Sequence, residues 1–250
     1  MQTKSSNYSL GGLLVLACLV ASGCQVAQMK LDPALTHVAA MPVKGNSGRM
    51  WNRQIQFGEW QTTSVNEGWT SDMRTEVGSA DGTSVSAMDR LRKRYRFAMA
   101  TNGGSIEAKC SQLGQVASHT ESSGRWEDRT EIDVAMLRGI PPLQCTYDGA
   151  GGGSLKLTKQ MTVAASQAGE IEFAGQPWTV NEVTRIEGGR QGSLAPMSGY
   201  EIRHGARVIA AVEVINQGRV WISPALSPLD QDRAAAIVTT LLLYRPVEPV

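Results

Sequence analysis

Apolar and polar residues alternate along much of the chain, a pattern typical of β-strands with one buried face. The alternation is clearest over Leu91–Ala100. One face of this segment carries the apolar residues Leu91, Tyr95, Phe97 and Met99, and the other carries Arg92, Arg94 and Arg96. The same pattern predicts shorter strands at Gln54–Trp60, Ser105–Ser111, Leu143–Tyr147, Ser154–Val163, Glu170–Phe173, Trp178–Val183, Tyr200–Arg203, Arg207–Ile215 and Arg219–Ile222. Polar or glycine-rich stretches at Ser111–Arg129 and Gly149–Gly153 are predicted to be surface loops.

A single helix is predicted near the end of the chain, over about 228–244. Ser227 is a suitable N-cap, Pro228 suits the first helical position, and Asp230 lies near the helix N-terminus. The body of the helix contains AAAIVTTLLLY, which is apolar nearly all round. Helices of that composition are buried. Together with the strand pattern, this predicts a mainly β fold, an antiparallel barrel or sandwich with one buried C-terminal α-helix.

The segments GYEIRHGARVIAAVEV and GRVWISPALSPLDQDRAAAIVTTLLL form paired strands, a strand that ends in Ser-Pro, and an acidic turn into the apolar helix. This order weakly resembles the tubby-like group, which includes the scramblase and LURP-type domains. The resemblance covers roughly the last fifth of the chain and includes no residue-level signature. It implies a closed barrel of about a dozen antiparallel strands around the helix. A β-sandwich with a helix on one face would produce the same pattern.

The N-terminal segment MQTKSSNYSLGGLLVLACLVASGC resembles the export signal of bacterial lipoproteins. It has one positive residue, a short apolar run from Leu13 to Val20, and small residues before Cys24. The family motif commonly has Leu where this chain has Ala21. The resemblance implies cleavage of residues 1–23 and attachment of acyl chains such as palmitate to Cys24. An ordinary secretory signal cut near Ala21 or Gly23 is the alternative.

The resemblance also bears on location, because the family tends to carry Asp after the lipidated cysteine when the protein stays at the inner membrane. This chain has Gln25, which favours the periplasmic side of the outer membrane in a cell with two membranes. Residues 24–48 lack a sustained period and contain two prolines and a Gly-Asn-Ser-Gly cluster, so they are predicted to be a flexible tether. Residues 49–250 are predicted to form a single β-rich domain.

Two cysteines remain in the predicted domain, Cys110 and Cys145. Outside the cytosol they most simply form a disulfide, and on the predicted strands both face the core. The bridge would close a loop of roughly 35 residues and contribute about 3–4 kcal/mol. Two buried free thiols are the alternative.

Catalytic and metal-binding spacings are not found, so a non-enzymatic protein without a cofactor is expected. There is no GxSxG, SxxK, HExxH or phosphate-loop motif, and the three histidines, His37, His119 and His204, are dispersed. A metal site is therefore not predicted. The carboxylate pairs Glu127/Asp128 and Glu131/Asp133 have the residue types for a hydrolase acting on a glycan, but such pairs are also common on solvated loops.

Charge does not favour nucleic acid as a partner. Residues 1–23 contain one Lys and no acidic residue, so the remaining chain carries 23 basic and 23 acidic residues. Within this neutral chain, Arg92, Arg94 and Arg96 form a candidate site for lipid phosphates, lipopolysaccharide or an acidic protein surface. A solvated strand face or protection of a sheet edge is the alternative.

Tryptophans at Trp51, Trp60 and Trp69 suggest either a carbohydrate- or partner-binding surface or core positions near a barrel end. Taken together, these features predict a membrane-anchored periplasmic lipoprotein, a non-enzymatic binding or assembly-accessory module of the cell envelope that binds another envelope protein or a lipid. A carrier of a lipid or small apolar ligand is the second hypothesis, and a cell-envelope hydrolase is the third.

Overall fold

The structure is a computed structural model, which describes residues 27–46, 54–68, 71–78, 84–123, 130–137, 142–158, 167–188 and 197–244. Within these residues the chain forms β-strands, one short 3₁₀ turn at Pro33–Leu35, and one α-helix, α1 (Pro228–Leu243). The strands are β1 (Met41–Pro42), β2 (Gln56–Phe57), β3 (Trp60–Glu67), β4 (Ser71–Gly78), β5 (Ser84–Thr101), β6 (Gly104–Ser123), β7 (Thr130–Leu137), β8 (Leu143–Asp148), β9 (Gly153–Leu157), β10 (Gln167–Phe173), β11 (Gln176–Val183), β12 (Gly199–His204), β13 (Arg207–Glu213) and β14 (Arg219–Ile222).

Twelve of these strands follow one another around a nearly closed antiparallel barrel, in the order β1-β14-β13-β12-β11-β10-β9-β8-β6-β5-β3-β2. The two ends of this order meet at Lys44 and Gln56. Their backbones exchange two hydrogen bonds, of 2.9 and 3.1 Å. This bridge closes the ring beside β1 and β2, so the fold is the predicted mainly β class, in its barrel form.

Helix α1 fills the interior of the barrel. Every residue from Asp232 to Leu243 is buried, and the helix packs in one core with strands from all round the ring. Its start is capped as the sequence predicts, because the Ser227 side chain accepts a hydrogen bond from the backbone N–H of Asp230. A barrel around a C-terminal helix is the architecture that the tubby-like resemblance implies, while the resemblance itself stays a prediction.

Polar groups on the helix hold it to opposite parts of the wall. The indole N–H of Trp60 donates a 2.8 Å hydrogen bond to Asp232 near the helix start. Farther along, the hydroxyl of Tyr95 donates to the carbonyl of Thr240 at 3.1 Å, and the hydroxyls of Tyr147 and Thr240 share a 2.9 Å hydrogen bond. Buried polar groups without partners are costly, so these contacts select one depth and rotation for the helix.

Two strands are much longer than the barrel wall and extend beyond it. β5 pairs with β6 from Ser84↔Glu121 to Thr101↔Gly104, and the outer parts of both strands gain β4 and β7 as neighbours. We call this four-stranded extension the arm; it comprises β4, β7 and residues 84–92 and 113–123. The predicted loop at Ser111–Arg129 is therefore wrong up to Ser123, where the polar sequence forms strand.

The predicted flexible tether at residues 24–48 is wrong for the part that the structure describes, 27–46. Residues 27–40, which we call the strap, lie across the outer face of β11–β14. Met29 and Leu35 are fully buried there against Val183, Ala211 and Trp221. Polar composition hid these few anchoring side chains, because two or three apolar residues suffice to seat a short segment on an existing apolar surface.

The disulfide between Cys110 and Cys145 is present and joins the neighbouring strands β6 and β8. The two residues are directly opposite each other in the register, and their Cα atoms are 4.1 Å apart. Both side chains are buried in the core, as the strand pattern predicted. Beyond them, the chain around Gly149–Gly152 turns between β8 and β9, which agrees with the predicted glycine turn.

Candidate binding surface

The outer face of β5 carries the candidate site residues. Tyr95, Phe97 and Met99 point into the core, while Arg92, Arg94 and Arg96 are exposed. We call these three arginines the basic row. Consecutive members are two residues apart on one strand, so their Cα atoms are separated by about 7 Å. The alternation of the sequence therefore predicts the face on which each described side chain lies.

The neighbouring strand extends the positive charge. In the register of β5 and β6, Arg96 lies opposite Lys109 and Arg94 lies opposite Ser111. Lys109 forms an exposed ion pair of 2.9 Å with Asp148. The hydrogen bond to Asp148 raises the pKa of Lys109, and Arg96 acts in the opposite sense. Lys109 thus stays protonated, and the carboxylate of Asp148 balances its positive charge.

The basic row differs from Lys109 in its contacts with carboxylates within the described residues. Among the residues that the structure describes, no carboxylate forms an ion pair with Arg92, Arg94 or Arg96. In contrast, Arg203, Arg219 and Arg233 on the same molecule each bind a carboxylate. Glu107 and Asp148 lie on the neighbouring strands near Lys109, but neither forms an ion pair with the row.

An open groove of about 630 Å³ runs beside the basic row. Its rim includes Arg94, Arg96, Lys109, Ser111 and Gln144. The disulfide lies directly beneath the groove. Cys110 is next to Ser111 on β6, and Cys145 is next to Gln144 on β8. A covalently bridged strand pair is a rigid base, so the donor groups along the groove keep their spacing.

Next to the row, large apolar side chains are exposed on the arm. Leu113 lies opposite Arg92 in the register and is 58% exposed. Met73 and Val77, on β4, are 63% and 67% exposed. They share a face because they are four residues apart on one strand. The surface therefore changes from cationic on the barrel wall to partly apolar on the arm.

The other candidate residues from the sequence do not come together into a site. Trp60 is buried in the core, in agreement with a core position near a barrel end, and Trp51 and Trp69 lie outside the described residues. His37 and His204 are exposed at separate places. Glu127 and Asp128 lie outside the described residues, and Glu131 and Asp133 belong to β7, whose side chains are not described.

The described residues offer no candidate for a metal site or a membrane-spanning helix. Across the described residues, no group of three or more His, Cys, Asp or Glu side chains is arranged to hold a metal ion. In the same part of the chain, no helix has the length and hydrophobicity needed to cross a membrane. Cys24, the predicted lipidation site, lies outside the described residues.

Sequence reasoning missed both the strap and the arm. A signal for β7 exists in the alternation of Glu131-Ile132-Asp133-Val134, whose acidic residues also fit a catalytic carboxylate pair. Comparison with protein-family models, curated proteins and solved structures finds no match to this chain.

Proposed function

We propose that the protein is a non-enzymatic binding module of the bacterial cell envelope, anchored through acyl chains on Cys24, which holds an anionic partner on its basic row. The observation that carries this proposal is the exposed line of Arg92, Arg94 and Arg96 without carboxylate partners among the described residues. In a chain that is neutral after residue 23, an exposed row of one charge without ion pairs supports binding of a partner with the opposite charge.

The chemistry of arginine supports an anion with several oxygens. A guanidinium group forms paired hydrogen bonds with carboxylate or phosphate, and it is more weakly hydrated than an ammonium group. Three such groups at intervals of about 7 Å suit a row of phosphates or an acidic strand better than one small ion. Lipid phosphate, lipopolysaccharide and an acidic protein surface all have this chemistry.

The interior of the barrel favours a binding surface over a carrier function. Carriers of apolar ligands keep an enclosed apolar cavity, whereas here α1 occupies the axis and its residues from Asp232 to Leu243 are buried against the wall. A hydrolase is less well supported still, because the described carboxylates that are buried, Glu201, Glu213 and Asp232, all bond to other protein groups.

The location follows from the sequence. The lipoprotein-like signal and Gln25 support anchoring at the periplasmic side of the outer membrane in a cell with two membranes. Mass determination of the N-terminal peptide of the mature protein tests this directly, and the expected result is a cleaved chain that begins with an acylated Cys24. A Cys24→Ala variant is expected to lose tight membrane association, because tight anchoring needs two or more acyl chains.

Charge reversal tests the binding surface. The acylated protein and its Arg92→Glu/Arg94→Glu variant are purified from their own membranes in mild detergent, and co-purifying proteins and lipids are identified by mass spectrometry. Lys156→Glu/Arg207→Glu is the matched control, since both residues are exposed and the change in charge is the same. The row variant is expected to lose a partner that the control retains. Identical partners in the two preparations would contradict the proposed role of the row.

A further inference from the structure

We propose that the arm lies against the membrane leaflet that holds the Cys24 anchor, with its exposed apolar side chains in the interface and the basic row on anionic lipid headgroups. This inference rests on the proposed function and commits it to one partner, the lipid surface itself. It follows from where the chain leaves the barrel, from where the arm projects, and from the side chains on the arm.

The strap fixes the point at which the chain leaves the barrel toward Cys24; we call residues 24–26 the anchor segment. The carbonyl of Ala27 accepts a 2.9 Å hydrogen bond from the side chain of Asn216. The carbonyl of Gln28 accepts one of 2.8 Å from the backbone N–H of Glu187. Ala27 is three residues beyond Cys24, and three residues reach at most about 10–11 Å. By chain length alone, Cys24 is therefore no more than about 10–11 Å from Ala27.

The strand register shows which end of the barrel this is. Asn216 follows the last residue of β13, Glu213, which lies opposite Gly199. Continuing along the ring, Val183 lies opposite Gly199 at this end of β11, and the residues near the same end of the next strands are Gly169, Leu157, Leu143 and Gln112. β6 runs beyond the wall immediately after Gln112, as the start of the arm. The anchor segment and the arm thus leave from one end of the barrel, which we call the arm end.

The anchor segment and the arm leave the barrel on opposite sides of the ring. β13, under the strap, and β6, at the base of the arm, are six strands apart in the twelve-strand order. The part of β5 in the arm, residues 84–92, spans about 30 Å. An arm of that length does not fit upright between a bilayer and a barrel end that is held about 10 Å from it. With the barrel end turned toward the bilayer, the arm therefore lies along the interface or enters it.

The side chains of the arm suit that position. Of the five large apolar residues that are exposed in the described part of the chain, four are on the arm: Met73, Val77 and Leu113 share the face of Arg92, and Val85 lies on the other face. Moving exposed apolar side chains from water to the acyl boundary is favourable by about 25 cal/mol per Å² of buried surface. Arg92 and Arg94 lie at the base of the arm, and each cation near an anionic leaflet contributes about 1 kcal/mol.

Spin labels on the acylated full-length protein test the position of the arm. The protein is reconstituted into vesicles of phosphatidylethanolamine and phosphatidylglycerol, with a nitroxide at Val77→Cys on the arm. A second sample carries the label at Ala206→Cys, an exposed turn residue at the opposite end. Collision with a water-soluble nickel complex is expected to be several-fold lower at residue 77 than at residue 206, with the opposite order for oxygen. Equal nickel exposure at both sites would overturn the inference.

Further measurements separate the explanations. Dipolar broadening between labels at residue 77 in vesicles, lost on dilution with unlabelled protein, would overturn the inference in favour of contact with a second copy of the chain. In vesicles, Arg92→Glu/Arg94→Glu is expected to restore several-fold nickel access at residue 77, and unchanged protection would overturn the role of the row. A mature chain without acyl groups would overturn the proposed function, whereas an acylated protein with residue 77 in water would overturn only the docking of the arm.

Discussion

The backbone N–H of Met29 donates a 2.8 Å hydrogen bond to the buried carboxylate of Glu213, 184 residues later in the chain. The same carboxylate accepts hydrogen bonds from Arg219 at 2.8 and 3.2 Å, and the Arg219 guanidinium also reaches the side chain of Gln28. Glu213 thus joins the strap to the barrel wall.

Glu213→Gln is expected to loosen the strap, because the amide lacks the charge that Arg219 and the Met29 N–H bind. The contribution lost is about 1–3 kcal/mol. Limited trypsin digestion is the measurement, and cleavage after Lys30 should become faster. Glu170→Gln, at an exposed position on the barrel wall, serves as the control. Unchanged cleavage after Lys30 would show that the apolar contacts of Met29 and Leu35 are sufficient.

Loss of the disulfide is expected to destabilise the barrel without changing its fold. The Cys110→Ala/Cys145→Ala double variant should lose about 3–4 kcal/mol of unfolding free energy, because the bridge restricts a loop of roughly 35 residues in the unfolded chain. Denaturant titration measures the loss. The wild-type protein under reducing conditions should give a similar midpoint, and a variant as stable as the oxidised wild type would contradict the prediction.

Thr240→Val is expected to cost about 1–3 kcal/mol, because it leaves the buried Tyr147 hydroxyl without its partner on the helix. Tyr147→Phe removes that hydroxyl. The double variant should therefore lose less unfolding free energy than the sum of the losses in the two single variants. Denaturant unfolding of the four proteins gives the coupling free energy, and strict additivity would rule out an energetic role for this hydrogen bond.

The barrel is expected to lose stability at alkaline pH. Burial raises the pKa of Tyr244 to about 12, although a hydrogen bond with Gln112 lowers it in part. Burial also raises the pKa of Tyr95 and of Tyr147. Since an unfolded tyrosine titrates near pH 10, the stabilisation is complete below about pH 10 and is lost as the pH rises through about 12.

Unfolding free energies measured from neutral pH to pH 12 test this dependence on ionisation. Tyr244→Phe should show a shallower decline, because it removes one of the three buried phenols that must ionise. Tyrosinate absorbance recorded in parallel shows whether ionisation accompanies unfolding. If wild type and Tyr244→Phe declined with the same slope, Tyr244 would not be among the groups responsible.

Several parts of this fold could be predicted because their causes are local. Two-residue periodicity places Tyr95, Phe97 and Met99 inside the barrel and Arg92, Arg94 and Arg96 outside, since successive side chains of a strand alternate between faces. The cap at Ser227 and the apolar run after Asp232 determine a buried helix in the same way. The pairing of Cys110 with Cys145 followed from their inward-facing positions.

Other parts depended on partners that are distant in sequence. The sequence by itself determined most strands of the wall, the buried helix and the resemblance to a lipid-anchoring signal, because propensity, capping and alternation act over a few residues. It did not predict β1, or β3 beyond Trp60. Only the tertiary structure decided that β5 and β6 continue into the arm, that the strap is bound through Glu213, and that both leave one end of the barrel. Those features arise from register and from contacts nearly 200 residues apart, and no local pattern contains the position of the partner.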